Sequence, residues 1–113
     1  AELPTVRPDT PMSDTLLAMT SKGFGIAIIV DDAGRLEGVV TDGDLRRNMT
    51  DLMARTAGEI ATKTPISVKA DTLVAQALAL MNKRAISVLP VVDNSDRAMG
   101  VIHMHDLLRA GVA

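Results

Sequence analysis

The chain has 113 residues, 47% of them hydrophobic, which is the size and composition of one compact domain. It has no Cys, so disulfides and thiol chemistry are excluded, and a reducing, cytoplasmic compartment is expected. Basic and acidic residues are interspersed and give a net charge of −2, and the only aromatic residue is Phe24. Both observations argue against a nucleic-acid partner. No apolar run approaches the roughly 20 residues of a membrane span, so no membrane partner is expected.

The first half, residues 1–50, predicts a strand, a helix, two strands and a second helix. Residues 3–7 are extended, and Asp9-Thr10-Pro11 begins a helix that runs to about residue 22. Residues 26–30 form a continuous apolar run of strand length, and residues 36–40 return as another strand. The helix opened by residues 41–44 is predicted to carry four apolar side chains: Leu45, Met49, Leu52 and Met53.

A linker, residues 51–64, leads to a second half, residues 65–113, with the same order of elements. Asp71 and Thr72 are predicted to cap a helix whose inward side chains are Val74, Ala77, Leu78 and Met81. Residues 86–92 form a strand that contains Pro90. Because proline cannot donate to a strand ladder, this segment is expected at a sheet edge or opposite a gap in the pairing.

The two halves repeat one motif at an offset of 62 residues, without a gap. Val6 falls on Val68, residues 38–40 on residues 100–102, and Asp44 on Asp106. Each copy is too small to bury a sufficient core alone, so the copies are expected to share one core. The sequence therefore predicts an α/β (α+β) fold of two pseudo-symmetric strand-helix-strand-strand-helix repeats, with a ligand cleft between them.

The strand-to-helix junction at Thr41 and Asp44 has two interpretations. A carboxylate accepts from two vicinal hydroxyls, as in a ribose. Thr-x-x-Asp before an apolar helix is also a capping box, which needs no ligand, and the spacing alone favours the cap. The arginines that follow, Arg46, Arg47 and Arg109, either neutralise phosphates or lie on solvated helix faces.

Metal and nucleophile sites are not expected. His103 and His105 place two nitrogens near each other, but a third ligand for Zn²⁺ is not evident. Asp31-Asp32 and Asp42-Gly43-Asp44 lack the loop length and terminal Glu of an EF-hand, so turn chemistry is the better interpretation. No Ser/His/Asp or Cys/His set is present, and no catalytic residue is predicted.

The order of elements and the motifs at residues 38–44 and 88–93 resemble the cystathionine-β-synthase (CBS) domain, two of which form a Bateman module. The resemblance implies that Thr41 and Asp44 hold the ribose or phosphate of a nucleotide. In the second copy Asp106 keeps the carboxylate but His103 replaces Thr41. That site is therefore altered, specialised or inactive, or His103 contacts a ligand held by the first pair.

Further contacts to the base or sugar are implied by the same resemblance, although each of these residues is alternatively part of the core. Gly25 alternatively only ends a helix. The implied residues are Pro4, Phe24, Gly25, Ile26, Thr62, Ile66, Ile86, Ser87 and Val88.

Residues 41–47 and 103–112 are similar to the C-terminal part of bacterial D-arabinose 5-phosphate isomerases. In that family a sugar-isomerase (SIS) domain precedes the CBS pair, holds the catalytic site, and interconverts ribulose 5-phosphate and arabinose 5-phosphate for the lipopolysaccharide sugar Kdo. The resemblance implies that this chain is the regulatory, non-catalytic part of such an enzyme. It also implies a homodimer through the CBS modules and a higher oligomer in the full-length protein.

Two functions follow as hypotheses. The first is a regulatory module without a required cofactor, whose cleft binds a nucleotide effector such as CMP-Kdo, AMP, ADP or ATP. The second is a ligand-free oligomerisation module. The loss of Thr at His103 favours the second hypothesis, and the intact pair of Thr41 and Asp44 argues against it.

Overall fold

The computed structural model describes residues 3–21, 23 and 25–109, and these form strands and helices. The strands are β1 (Thr5–Val6), β2 (Ile26–Val30), β3 (Leu36–Thr41), β4 (Val68–Lys69), β5 (Val88–Val92) and β6 (Ala98–His103). The helices are α1 (Met12–Ser21), α2 (Asp42–Arg47), α3 (Ala57–Ile60), α4 (Val74–Arg84) and α5 (Met104–Arg109), with a 3₁₀ helix at Leu52–Ala54. Within these residues, no helix has both the length and the apolar character needed to cross a membrane.

The strands form two three-stranded sheets, β1-β2-β3 and β4-β5-β6, each with one parallel and one antiparallel pair. The register is the same in both: Thr41 pairs with Ile26, and His103 pairs with Val88. Each copy therefore has the order strand, helix, strand, strand, helix. The predicted α/β fold of two pseudo-symmetric repeats is confirmed.

Backbone hydrogen bonds join the hairpins of the two repeats, and others join the linker to the first repeat. The hairpin turns pair with each other, since Leu36 N–H donates to the Asp96 carbonyl at 2.8 Å and Ala98 N–H to the Gly34 carbonyl at 3.0 Å. The linker pairs with β3 in both directions, through Val39 and Thr62, at 2.9 and 3.1 Å. The linker and both hairpins thus fix the two repeats against each other.

Many of the buried apolar side chains form two clusters, one in each repeat. The first combines the α1 face with β2, β3 and the linker helix α3: Val6, Met12, Met19, Ala27, Ile29, Val40, Ala57 and Ile60. The second consists of Val68, Ala77, Met81, Leu89 and Leu107. The expectation of one shared core is wrong in that each repeat has its own apolar cluster, although Ile26 and Ile28 of β2, at most 1% exposed, belong to neither cluster.

Helix α2 is shorter than the sequence predicted. It ends at Arg47, where the Asn48 side chain donates to the Asp44 carbonyl at 2.7 Å. The chain then turns through Asp51, which has a positive φ of 57°. Met49 and Met53 therefore lie beyond the helix that was predicted to carry them, and they are 73% and 59% exposed.

Helix α4 begins at Val74, two residues after the predicted cap. The hydroxyl of Thr72 instead accepts the N–H of Lys69 at 3.2 Å, and Leu73 N–H donates to the side chain of Gln76. Val74 is 39% exposed, contrary to prediction, whereas Ala77 and Met81 are buried as expected.

Pro90 lies in β5, the middle strand of the second sheet, so the prediction of an edge is wrong. The alternative, a gap in the pairing, fits the register. In the first repeat Ile28 N–H donates to the Pro4 carbonyl at 2.8 Å, and Pro90 at the equivalent position has no N–H to donate. Accordingly β4 begins to pair only at Val68.

The hairpin turns are built on equivalent aspartates. Oδ1 of Asp31 accepts the N–H groups of Ala33 and Arg35, and Oδ1 of Asp93 accepts those of Ser95 and Arg97, all at 2.8 or 2.9 Å. These bonds stabilise the charged carboxylates, so the pKa of each lies below the usual range, with the Arg35 and Arg97 N–H groups the largest causes. The acidic residues at 31 and 93 therefore act as turn-forming groups.

Candidate ligand-binding cleft

A cleft of about 560 Å³ lies between the two repeats. The first repeat contributes the start of β2, part of β3 and the exposed side of α2. The linker and the end of α4 through β5 form the other wall. The lining residues are Gly25, Ile26, Val39, Thr41, Asp42, Gly43, Arg46, Arg47, Thr62, Thr64, Pro65, Ile66, Arg84, Ala85, Ile86, Ser87, Val88 and Pro90.

The lining combines apolar side chains with hydroxyls and positive charge. The lining residues include three arginines, Arg46, Arg47 and Arg84, and one acidic residue, Asp42. The chain as a whole carries a net charge of −2, so the net charge of the cleft lining is opposite in sign to that of the chain. A site of this composition favours a small ligand that has both an apolar part and an anionic part.

Asp44 lies directly behind this lining and is only 3% exposed. Its Oδ2 accepts both the N–H and the hydroxyl of Thr41, at 3.0 and 3.1 Å. Its Oδ1 accepts the Thr62 hydroxyl at 2.9 Å and Arg47 Nη2 at 2.8 Å. The acceptance of the Thr41 N–H is the capping interaction that the spacing favoured, and the carboxylate is fully hydrogen-bonded.

Eight of the residues predicted to contact a ligand line the cleft. They come from both repeats and from the linker: Gly25, Ile26, Thr41, Thr62, Ile66, Ile86, Ser87 and Val88. Pro4 is instead buried, and its carbonyl bonds to Ile28 as described above. Phe24 lies outside the described residues.

The second carboxylate differs sharply from the first. The side chain of Asp106 is 58% exposed and its ion pair is with Arg109 on the same helix, whereas the side chain of Asp44 is 4% exposed. His103 is the register partner of Val88, which lines the cleft, but His103 and Asp106 are not among the lining residues. The structure therefore places the two acidic positions in different environments.

His103 and His105 lie with their rings stacked, at a centroid distance of 5.5 Å and an interplanar angle of 9°. Nδ1 of His103 is buried without a hydrogen-bond partner among the described residues. The same residues contain no group of three His, Cys, Asp or Glu side chains arranged to hold a metal ion. Zinc binding by this pair thus lacks a third ligand in the described structure.

Several lining residues were not predicted from the sequence. Arg84 is the most informative, because it brings a positive charge from the second repeat to the cleft that Arg46 and Arg47 border from the first. A signal was present in the sequence: Arg84 ends α4 four residues before β5 begins, and Lys22 stands at the equivalent position in the first copy.

The sequence matches the family model of the CBS domain over residues 1–51 and again over residues 57–113. The chain belongs to the CBS domain family. The two matches correspond to the two repeats, and the structure has the repeat geometry that the sequence motifs implied. CBS domains are not catalytic, in agreement with the expectation that this chain carries no active site.

Among its curated relatives are arabinose 5-phosphate isomerases KdsD. The chain is 45% identical to that of Yersinia pestis over 98% of its length and 42% identical to that of Pseudomonas aeruginosa over 97%. The enzyme of Escherichia coli K12 is 41% identical over 98% of the chain. The chain spans only about a third of these relatives, 34% or 35% of their lengths.

Solved CBS structures superpose closely on both repeats. The CBS domain pair of protein MJ0100, in complex with methylthioadenosine and S-adenosyl-L-methionine, matches with a TM-score of 0.87 at 25% identity, over 98% of this chain and 89% of that one. CBSX2 in complex with AMP matches with a TM-score of 0.82 at 26% identity, over 97% and 87%. The cytosolic domain of the Mg²⁺ channel MgtE, in complex with ATP, matches with a TM-score of 0.80 at 27% identity, over 94% and 44%.

Proposed function

We propose that the cleft binds a nucleotide or nucleotide-sugar and that this ligand acts as an allosteric effector. The observation that carries the proposal is the make-up of the cleft, which joins an apolar wall to hydroxyls and three arginines. Its volume of about 560 Å³ lies within the range of roughly 300–1,000 Å³ typical of small-molecule sites. An aromatic base fits the apolar wall, and phosphates fit the arginines.

The candidate effectors follow from the relatives. CBS structures at 25–27% identity contain AMP, ATP or S-adenosyl-L-methionine, which supports an adenine nucleotide. Similarity to arabinose 5-phosphate isomerases adds CMP-Kdo, because an activated end product is a reasonable feedback effector for an early enzyme. AMP, ADP, ATP and CMP-Kdo are therefore the ligands to test.

We further propose that the parent protein is a cytoplasmic arabinose 5-phosphate isomerase of Kdo and lipopolysaccharide biosynthesis. The identity of 41–45% over almost the whole chain supports this assignment. The catalytic SIS domain would lie outside this chain. An effector changes the activity of such a domain only if it binds two conformations of the protein with different affinity.

Binding is tested by calorimetric titration and thermal unfolding with CMP-Kdo, CMP, AMP, ADP, ATP and S-adenosylmethionine. A ligand at a hundred times its Kd stabilises the folded chain by about 2.7 kcal/mol. Ser87→Trp fills the cleft from an exposed lining position, and Ser95→Trp makes the same change in an exposed turn.

We expect Ser87→Trp to abolish binding and Ser95→Trp to leave it unchanged. Equal binding by both variants would place the ligand elsewhere, and the absence of binding by every compound would overturn the proposed function. At the level of the enzyme, the rate of the full-length protein is measured with and without the effector. A parent gene without a SIS domain would overturn the isomerase assignment.

Self-association is a second candidate function, favoured by apolar side chains on the surface. Leu17 of α1 is 63% exposed and Met53 of the adjacent 3₁₀ helix is 59% exposed. Sedimentation equilibrium of the chain tests this candidate, with Leu17→Lys/Met53→Lys expected to shift a homodimer to monomer. A wild-type chain that is monomeric at high micromolar concentration would exclude it.

A further inference from the structure

The carboxylate of Asp44 is occupied on both oxygens by donors of the protein itself. Oδ2 accepts twice from Thr41, and Oδ1 accepts from Thr62 and from Arg47 Nη2. A carboxylate offers about four lone-pair positions. A ligand hydroxyl that donates to Asp44 must therefore displace one of these four donors.

Arg47 is the donor that leaves most readily. The Thr41 N–H is part of the backbone, its hydroxyl is on the same residue, and Thr62 is held by its two backbone bonds to Val39. The Arg47 side chain is 67% exposed, lines the cleft and has a long rotatable stem. Its guanidinium lies over Gly43, where a Cβ would be 3.2 Å from Nη1, so no side chain at 43 blocks its movement.

A displaced guanidinium needs a new anionic partner. Among the residues that line the cleft, Asp42 is the one acidic residue. Arg46 beside it and Arg84 from the second repeat add further positive charge. An anionic group on the ligand would contact all three arginines and would replace Asp44 as the ionic partner of Arg47. A neutral ligand provides no such compensation.

We infer that Arg47 is an exchangeable clamp, which passes from Asp44 to an anionic group of the ligand when a ligand hydroxyl takes its place on Oδ1. The cleft therefore selects compounds that carry a hydroxyl and an anionic group together, such as phosphorylated sugars and nucleotides, over neutral nucleosides. Arg84 contacts the same anionic group from the other repeat, so the ligand ties the repeats together. This inference rests on the proposed function of the cleft.

Two variants separate the clamp from a purely structural role. Arg47→Ala frees Oδ1 for a ligand hydroxyl and removes one contact to the anion. Nucleoside affinity should therefore stay the same or rise, while nucleotide affinity falls. Arg84→Ala removes only the contact to the anion, so nucleotide affinity falls and nucleoside affinity stays the same. Arg109→Ala is the matched control, because Arg109 makes the equivalent ion pair with Asp106 away from the cleft lining.

The measurement is calorimetric titration of the chain and its variants with AMP, adenosine, CMP and cytidine, after thermal unfolding has shown that each variant is folded. The wild type should prefer each nucleotide to its nucleoside. Arg47→Ala should reduce that preference by about tenfold, the effect of one charge-assisted hydrogen bond, and Arg109→Ala should leave it unchanged.

Contrary results distinguish the inference from the proposed function. If the wild type binds but Arg47→Ala lowers nucleotide and nucleoside affinity by the same factor, the clamp is wrong and the cleft remains a ligand site. A wild type that does not discriminate between nucleotide and nucleoside also overturns the clamp alone. If the wild type binds none of the four compounds nor any of the other candidate effectors, both proposals fail.

Discussion

The hydroxyl of Thr62 donates a 2.9 Å hydrogen bond to Oδ1 of Asp44, across 18 positions of sequence. Thr62 belongs to the linker and is held against β3 by its backbone pairing with Val39. The linker and the acidic group behind the cleft are therefore positioned by one another. Any change at either residue should affect both the stability of the first repeat and the shape of the cleft.

Thr62→Val should destabilise the chain by about 1–2 kcal/mol, because it removes one donor from a buried carboxylate while keeping the branched shape of the side chain. Thr64→Val makes the same change at an exposed position of the same cleft and should cost less than about 0.5 kcal/mol. Urea unfolding of both variants measures the difference. Equal midpoints would show that the bond between Thr62 and Asp44 contributes nothing to stability.

Gly38 and Gly100 are equivalent in sequence but not in surroundings. A Cβ at Gly38 would lie 2.9 Å from the Thr62 carbonyl oxygen, whereas a Cβ at Gly100 would meet nothing closer than Val91 Cβ at 4.0 Å. Gly38→Ala should therefore cost roughly 1–3 kcal/mol and displace the linker. Gly100→Ala should be neutral or slightly stabilising, because alanine has less backbone entropy to lose.

Chemical denaturation of the two glycine variants, with nucleotide titration alongside, tests this difference. The displaced linker should weaken ligand binding in Gly38→Ala only. A similar loss of stability in Gly100→Ala would mean that the second repeat depends on a close contact at the same place, contrary to its structure.

Asp44 and Asp106 should likewise respond differently to alanine. Asp44 is buried, caps α2 and accepts four hydrogen bonds, so Asp44→Ala should cost roughly 2–3 kcal/mol. The side chain of Asp106 is 58% exposed and pairs with the exposed Arg109, so Asp106→Ala should cost less than about 1 kcal/mol. Unfolding free energies from urea titration give the comparison, and equal costs would contradict the environments described above.

The duplicated fold was predictable because its signals are local and occur twice. The apolar run at residues 26–30, the turn at Asp31 and the glycine at 38 each have a counterpart 62 residues later, so two segments of the sequence indicate each of these elements. The errors that remained lie where tertiary contacts decide. Met49 has the spacing of a helix face, but Asn48 ends the helix first.

The cleft was only partly predictable, for a different reason. Residues at strand starts and at the Thr41 junction carry a motif, so their position was implied by resemblance. Arg84 carries none, since its role depends on the end of α4 meeting the cleft across the repeat boundary. The replacement of Thr41 by His103 indicated that the two acidic positions differ, but the sequence did not indicate how: the side chain of Asp106 is 58% exposed and that of Asp44 only 4%.

The two hairpin turns should make stability depend on pH in the acid range. The N–H groups of Arg35 and Arg97 lower the pKa of Asp31 and Asp93 below the ordinary value of 3.8. The unfolded chain therefore binds protons more readily, and this stabilisation is complete above about pH 4 and is lost as pH falls through the lower folded-state values.

Asn keeps an acceptor for the turn but does not titrate, so Asp31→Asn/Asp93→Asn should lose less stability between pH 4 and pH 2, by urea midpoint, than the wild type does. Glu59, whose pKa is lowered mainly by the Thr56 N–H, still titrates in the variant, so the stability of the variant keeps a smaller dependence on pH. Parallel curves for wild type and variant would show that the two turns do not bind their protons differently on folding.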